Sequence, residues 1–463
     1  MNRYSSLIKN IGLFTLSNIS TKFISFFLVP FYTYYLTTKE YGTSDLMNTT
    51  VSLLVPLLTL SISDGVLRYS FDKMFEKRKV FSNGLWLSVF SSVILLIFLP
   101  IFNFVPGISN YKFLFWLLFL TNTFTVLFSN FSRALNLVSL ISITSIINTL
   151  LTATLNIVLI GGFRLGLLGF LLANILGNII GCFIYYFAGK FKNYTVFSID
   201  IPLLKQMFVY CLPLIPNALF WWINSSINRY FLTILTSLSA VGLFSVANKI
   251  PSILSMVTGI FQQAWDISSI EVYDSNERDT FFSNIFNAYT FLMGLVSILL
   301  IVANKFIAVI LLKKAFISAD VYIPWMIIAF YYSSLNSFYG SIYIASKKTK
   351  YLFTTTILGA VSSVFFNYIL ILKFGIMGAA VATIISNFIV WIARLIDSRK
   401  LVNIRTSYIR LGITQAMLVV LAINMGYSEI FRPYVSAMII IIYLIMYRKR
   451  LIQISYTLMS KFK

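Results

Sequence analysis

Long apolar runs, separated by short polar breaks, occupy most of this chain. A bilayer core about 30 Å thick is crossed by a helix of roughly 20 apolar residues, so each run is predicted as one membrane span. Hydrophobic residues make up 59% of the 463 residues and charged residues only 11%. The mean hydropathy of +0.86 therefore excludes a soluble globular chain, and no large soluble domain fits beside the spans.

The sequence predicts an all-α integral membrane protein with about fourteen transmembrane helices. The predicted spans are residues 8–35, 44–67, 82–104, 111–132, 139–160, 166–188, 207–235, 240–267, 281–303, 320–345, 351–372, 376–397, 407–426 and 431–447. Prolines within them predict bends that could serve as pivots. These prolines are Pro30, Pro56, Pro213, Pro216, Pro251 and Pro324.

Lysine and arginine are divided unevenly between the two sides that these spans define. Most of the 36 Lys and Arg residues fall at the termini and in the loops after even-numbered spans. The positive-inside rule therefore places both termini in the cytoplasm. It also explains the formal net charge of +22 without a nucleic-acid partner, because the basic residues lie in short clusters between apolar runs.

Residues that carry catalysis or bind metals are scarce. The chain has no His, and Cys182 and Cys211 lie in apolar segments without metal-ligand spacing. It has no Gly-rich phosphate loop and no paired carboxylates in an extended loop. We therefore expect no cofactor, no metal and no enzymatic activity.

The two halves of the chain are weakly similar to each other. A shift of 200 residues aligns Ser25 with Ser225, Phe31 with Phe231, Thr33 with Thr233, Gly42 with Gly242, Asn48 with Asn248, Ser52 with Ser252 and Leu54 with Leu254. Both halves begin on the cytoplasmic side, so the repeat is parallel. We expect a six-helix bundle at 1–190, a cytoplasmic linker at 191–206, a second bundle at 207–400, and two extra helices with a basic tail at 401–463.

Three cations fall within predicted spans: Lys22, Arg229 and Lys249. A charge at the centre of a membrane helix costs at least about 2.5–3.5 kcal/mol, and few acids lie nearby in sequence, so we expect the three to line a cavity for an anionic substrate. Polar side chains on spans two, seven and eight would complete that lining, although such residues also serve as contacts between helices. These candidates are Asn48, Asn224, Asn228, Asn248, Ser252 and Gln262.

Three acidic residues are candidates for ion coupling: Asp45, Asp64 and Asp266. Each could carry a proton or a sodium ion, but acids at span ends are more often simply solvated. Asp64 and Arg68 also have the i, i+4 spacing of a local ion pair.

Aromatic residues beside amides suit the stacking of sugar rings. The candidates are Trp221, Tyr332 and Tyr339. Aromatic packing between helices is the alternative interpretation of the tyrosines.

Several segments resemble the bacterial polysaccharide-biosynthesis flippases, a branch of the multidrug/oligosaccharidyl-lipid/polysaccharide (MOP) exporter superfamily. They are Thr21–Pro30, Thr37–Gly42, Ser61–Arg68, Pro213–Asn217, Trp221–Trp222, Asn228–Tyr230 and Val241–Pro251. The resemblance implies two six-helix bundles around a central cavity, plus two extra helices, in a bacterial cytoplasmic membrane. It implies transport of an undecaprenyl-diphosphate-linked glycan to the outer leaflet. Lys22, Arg229 and Lys249 would then meet the diphosphate or an acidic sugar.

The expected partners are the lipid-linked glycan, the bilayer, and the polymerase and glycosyltransferases of the same pathway.

Two other functions stay open. A multidrug or cation antiporter of the same superfamily would need acids in its cavity, whereas this one is predicted to be basic. A membrane enzyme of glycan assembly would need a large outer loop or a catalytic residue.

Overall fold

The computed structural model describes residues 19–426 and 431–448, and the regular elements within those ranges are all helices. Seven of them are long and apolar enough to cross a membrane, or up to 11 if each of four bent helix pairs counts as one span. The prediction of an all-α multi-pass membrane protein is confirmed. The number fourteen stays a prediction, because the first span begins outside the described residues.

The chain divides into two compact units. The first unit runs to Ser245 and includes Lys313–Ala315, and the second comprises Val246–Leu312 and the residues from Phe316 onward. This division lies in the predicted eighth span, later than the boundary expected at 206/207. The bundle boundaries taken from the sequence stay a prediction.

The first unit begins with helical residues 19–27. Its α-helices are α1 (Val29–Tyr35), α2 (Thr38–Leu58), α3 (Ile62–Ser70), α4 (Lys77–Ile97), α5 (Lys112–Ala134), α6 (Val138–Asn156), α7 (Gly166–Ala188), α8 (Ile201–Cys211), α9 (Leu214–Leu235) and the greater part of α10 (Leu238–Ala247). Those of the second unit are α11 (Ser252–Val272), α12 (Arg278–Val302), α13 (Asn304–Leu311), α14 (Ile323–Ala345), α15 (Thr349–Ser398), α16 (Tyr408–Gly426) and α17 (Arg432–Met446). Short 3₁₀ or π segments lie at Leu99–Phe104, Ser109–Tyr111, Ile157–Gly162, Phe191–Tyr194 and Lys314–Val321.

Breaks within the helices fall at prolines and at one glycine. In the first unit, α2 and α3 meet at 57° just after Pro56, and α8 and α9 meet at 43° beside Pro213. In the second unit, the 50-residue helix α15 covers two predicted spans and is broken at Gly375, where φ is 54° and ψ is −127°. A glycine is required there, because side chains with a Cβ rarely adopt such a conformation.

Aromatic side chains form much of each core. In the first unit, Phe81 stacks on Phe131 with ring centroids 4.2 Å apart, and Phe191 contacts both rings. Phe191 is fully buried, so the start of the predicted linker is held against α4 and α5. In the second unit, Trp265 of α11 stacks on Phe338 of α14 at 4.6 Å and donates to its carbonyl.

The backbones of α2 and α10 approach closely at two glycines of the first unit. A Cβ at Gly42 would lie 1.9 Å from the carbonyl oxygen of Leu238, and a Cβ at Gly242 would lie 2.0 Å from that of Thr38. Only residues without a side chain permit so close a crossing. Gly42 and Gly242 are also paired by the 200-residue repeat, so the crossing joins corresponding positions of the two halves.

We expect Gly42→Ala to force α2 and α10 apart, because the new Cβ would meet backbone atoms that cannot rotate away. The cost should be about 2 kcal/mol or more, measured as a lower midpoint of thermal unfolding in detergent. Gly412→Ala is the matched control, since a Cβ there meets nothing within 4 Å. Equal midpoints for the two variants would contradict the tight crossing.

Candidate functional site

The carboxylate of Asp45 is the centre of a polar cluster in the first unit. Its Oδ2 accepts a hydrogen bond from Nε of Arg229 at 2.5 Å and another from Oγ of Ser245 at 2.5 Å. The three side chains come from α2, α9 and α10, so three helices meet at one oxygen. Asp45 and Ser245 are again 200 residues apart, which places the cluster beside the crossing of the two glycines.

The guanidinium of Arg229 is held from several directions. Its Nη1 donates to the carbonyl of Ser225 at 3.2 Å and to Oδ1 of Asn228 at 3.3 Å. Its Cζ lies 5.9 Å from the ring centroid of Phe244. The side chains of Arg229 and Asp45 are 17% and 22% exposed, so this ion pair is largely removed from solvent. Charge-assisted hydrogen bonds in such a setting are short and fix orientation.

The acid partner of Arg229 corrects the expectation drawn from the sequence. Few acids lie near Arg229 in sequence, but Asp45, at a sequence distance of 184 residues, forms an ion pair with it. Asn228 is buried against Arg229 and therefore belongs to the same cluster.

Further polar contacts link α2 to α9. The hydroxyls of Thr50 and Tyr230 lie 2.6 Å apart, and Nε1 of Trp222 donates to the carbonyl of Thr49 at 2.9 Å. Thr50 and Tyr230 were not among the predicted site residues. Tyr230 follows Arg229 in one of the family-like segments, and that was the only signal that could have identified it.

Two of the predicted amides make local or incomplete contacts. Asn48 donates to the carbonyl of Ser44 on its own helix at 2.9 Å. Oδ1 of Asn224 is buried and accepts no hydrogen bond from the described residues.

A second polar cluster lies in the second unit. Oδ1 of Asp266 accepts hydrogen bonds from Nε2 of Gln262 at 2.7 Å and from Oγ of Ser341 at 2.6 Å. Nε2 of Gln262 also lies 2.5 Å from Oγ of Ser341, which is fully buried on α14. Gln262 and Asp266 were both predicted, whereas Ser341 was not. Within the described residues Asp266 forms no ion pair, so its carboxylate is held by neutral donors.

The three predicted cations have different surroundings. Lys22 and Arg229 belong to the first unit, and Lys22 is exposed. Lys249 belongs to the second unit and lies with Asn248 in the turn between α10 and α11. Ser252 is exposed and donates to the carbonyl of Lys249 at 2.6 Å. The helix of the predicted eighth span is therefore interrupted at this turn, because Pro251 lacks the backbone N–H that a continuous helix would need.

Asp64 does not form the local ion pair that its spacing suggested. Its carboxylate accepts a hydrogen bond of 3.4 Å from Asn130, and no ion pair joins it to Arg68 in this part of the described chain. Its candidate role in coupling stays a prediction.

The predicted aromatic residues divide into exposed and buried side chains. Trp221 is 65% exposed, whereas Tyr332 and Tyr339 are buried. Tyr332 packs against Phe388 and Trp391, and Tyr339 packs against Phe286 and Phe338. The tyrosines thus follow the alternative interpretation, aromatic packing between helices, and offer no free face to a sugar in this conformation.

Comparison with known families decides the classification. The family described as "Polysaccharide biosynthesis protein" matches residues 7–265, which is more than half of the chain. The chain belongs to this family. The resemblance predicted from the sequence is confirmed, and the family range includes Asp45, Arg229 and Lys249. No curated protein sequence matches the chain.

Solved structures share the fold of this family member. "Lipid II flippase MurJ, inward closed conformation" has a TM-score of 0.71 and 14% identity, covering 95% of this chain and 99% of that one. An inward-facing multidrug resistance MATE family transporter has a TM-score of 0.66 and 14% identity, covering 84% and 95%. A MOP superfamily transporter from Pyrococcus furiosus has a TM-score of 0.60 and 12% identity, covering 84% and 96%. The chain has the fold of the MOP-superfamily membrane transporters.

We expect Asp45→Asn and Arg229→Gln each to lower stability by about 1–3 kcal/mol, and the double variant to cost less than the sum. The reason is that either single change leaves an uncompensated polar group beside the glycine crossing. Thermal unfolding of the four proteins in detergent gives the coupling energy. The exposed pair Lys400–Asp397, with side chains 70% and 27% exposed, is the matched control and should couple by at most about 1 kcal/mol. Additive effects at Asp45 and Arg229 would show that the pair is not coupled.

Proposed function

We propose that this protein is a flippase that moves an undecaprenyl-diphosphate-linked oligosaccharide from the inner to the outer leaflet of a bacterial cytoplasmic membrane. The observation that carries the proposal is the polysaccharide-biosynthesis family match on a chain whose fold is that of a lipid flippase over 95% of its length. Both termini are cytoplasmic in this proposal, as the positive-inside rule predicts. The surface polysaccharide is an O-antigen, a capsule or an exopolysaccharide.

The charges of the site support an anionic substrate. Arg229 offers a diphosphate a planar donor fork, and Lys249 offers an anion a point charge. In the described conformation the guanidinium of Arg229 donates to the carboxylate of Asp45. A diphosphate that binds Arg229 would therefore have to replace this carboxylate. When the diphosphate replaces Asp45, the positive charge of Arg229 stays balanced by an anion. The hydrogen bond between Asp45 and Arg229, which helps to join α2, α9 and α10, is then lost. Binding would thereby favour the other state of an alternating-access cycle.

The acids of the two clusters suit different roles. Asp45 forms an ion pair with Arg229, whereas Asp266 accepts hydrogen bonds only from the neutral side chains of Gln262 and Ser341. A carboxylate with neutral donors can take up a proton or a sodium ion without releasing a protein cation. By this criterion Asp266 is favoured over Asp45 as the coupling residue, and Asp64, whose carboxylate accepts from Asn130, meets the criterion as well.

A multidrug or cation antiporter is the second candidate function, because MATE transporters share the fold. The family match favours the flippase, whereas the ion pair of the first cluster does not distinguish the two functions, because an organic cation would compete for Asp45 just as an anion would compete for Arg229. An enzyme of glycan assembly is less well supported, because the family match coincides with a transporter fold.

Deletion of the gene, with radiolabelled lipid-linked intermediates followed by leaflet, tests the proposal. We expect complete repeat units to accumulate on the cytoplasmic leaflet and the wild-type gene to reverse this. Incomplete units, or units already on the outer leaflet, would indicate an enzyme. Unchanged intermediates with altered drug tolerance would indicate an antiporter.

We expect Lys249→Ala to lower export by about tenfold or more at an unchanged level in the membrane, because a charge-assisted contact to the diphosphate contributes about 1.5–3 kcal/mol. Lys400→Ala removes an equal charge from an exposed ion pair and should leave export unchanged. Export is measured as surface polysaccharide normalised to the membrane level of each variant. Full export by Lys249→Ala would contradict the proposal that Lys249 binds the diphosphate.

A further inference from the structure

A polar cavity of about 350 Å³ lies in the second unit, and none of its lining residues belongs to the clusters described above. It opens between α12, the start of α16 and the end of α17. Its lining residues are Asn287, Thr290, Arg405, Thr406, Ser407, Arg410, Leu411 and Tyr447. Two of these eight described residues are arginines and none is acidic, so the cavity carries positive charge without an internal counter-charge.

The segment that carries Arg405 is fixed to α12 by its backbone. Nδ2 of Asn287 donates to the carbonyl of Arg405 at 3.0 Å, and the amide of Arg405 donates to Oγ of Ser283 at 2.8 Å. Oγ1 of Thr406 donates to Oδ1 of Asn287 at 2.8 Å. These contacts hold one wall of the cavity and do not use the guanidinium of Arg405.

The start of α16 contributes to the same cavity. The amide of Arg410 donates to Oγ of Ser407 at 3.4 Å, and Oγ1 of Thr414 donates to the carbonyl of Arg410 at 3.0 Å. The N-terminal end of a helix carries a partial positive charge, which adds to that of the two arginines. The cavity is therefore suited to an anion that accepts several hydrogen bonds, such as a phosphate group.

The cavity lies where a helical hairpin meets one face of the membrane. The 19 residues of α16 span about 28 Å, close to the thickness of a bilayer core. Since α16 starts and α17 ends at the cavity, both ends of the hairpin reach the same face. Tyr447 lies at this face, and its ring packs 5.1 Å from that of Phe291 on α12. Tyrosine is typical of the membrane interface.

Apolar side chains project outward beside the cavity on both helices. Ile409 and Ile413 of α16 are 77% and 42% exposed, and Ile441 and Ile445 of α17 are 56% and 60% exposed. An aqueous phosphate would gain nothing from these side chains. The acyl chains of a lipid whose headgroup entered the cavity would cover them.

We propose that this cavity binds the phosphate headgroup of an anionic phospholipid of the surrounding membrane. Arg405 and Arg410 bind the phosphate oxygens, the hydroxyl of Ser407 donates to them, and the acyl chains lie along α16 and α17. Basic pockets between membrane helices bind anionic headgroups in this manner. The site is separate from the residues assigned to transport, so it does not depend on the proposed function.

The test uses the full chain purified in detergent and native mass spectrometry with added phosphatidylglycerol. We expect phosphatidylglycerol to be retained in preference to phosphatidylcholine, and Arg405→Gln/Arg410→Gln to weaken retention by about fivefold per arginine, the factor for one basic residue near a phosphate surface. The double variant Lys350→Gln/Lys400→Gln removes the same charge from exposed positions of the second unit and should retain phosphatidylglycerol like the wild type.

Three results would overturn the proposal: no preference for phosphatidylglycerol in the wild type, equal retention by both double variants, or competition by inorganic phosphate at an equal concentration. The last would show that the cavity takes a free phosphate. If the Arg405→Gln/Arg410→Gln protein fails to fold, Arg410→Gln alone serves, because only backbone atoms of Arg410 support α16. Unchanged retention by Arg410→Gln would equally count against the site.

Discussion

The first cluster depends on the crossing of α2 and α10 at Gly42 and Gly242. Because the backbones nearly touch there, the residues one helical turn further on, Asp45 and Ser245, are brought within hydrogen-bond distance. The two repeats supply corresponding positions but different chemistry: one gives an acceptor and the other a donor. An approximate repeat can therefore place a donor opposite a carboxylate, whereas a perfect repeat with two ionised acids at these positions would be repulsive.

Arg229 turns this contact into a junction of three helices. A cation largely removed from solvent is tolerated when an anion compensates it, and removal of either partner is more costly than exchange. The three-helix junction is thus stable while Asp45 compensates Arg229, and another anion that binds Arg229 can replace the Asp45 carboxylate. In the function proposed above, the diphosphate of the substrate would be that anion, because it has the charge and the oxygen geometry for charge-assisted hydrogen bonds to a guanidinium.

Physical constraints explain which features the sequence could predict. Lipid cannot solvate backbone polar groups, so the spans were recognisable as apolar runs, and the breaks fell at Pro56, Pro213 and Gly375, where the helical pattern cannot be kept. The partner of Arg229 was not predictable, because 184 residues separate it from Asp45. The burial of Tyr332 and Tyr339 could not be predicted from the sequence either. The same pattern of aromatic residues is expected whether their rings contact a sugar or another aromatic side chain.

The two clusters compensate their carboxylates by different means, and this difference bears on how transport could be driven. Asp45 is bonded to a guanidinium, so protonating it would leave Arg229 uncompensated in a low-dielectric site. Asp266 is bonded to an amide and a hydroxyl, and Oε1 of Gln262 is buried there without a donor from the described residues. A protonated Asp266 or a bound cation would find an acceptor in that oxygen. The second cluster can therefore change its charge without breaking an ion pair, whereas the first can change only its partner. The proposed function accordingly assigns ion coupling to a carboxylate of the second cluster and anion binding to the guanidinium of the first.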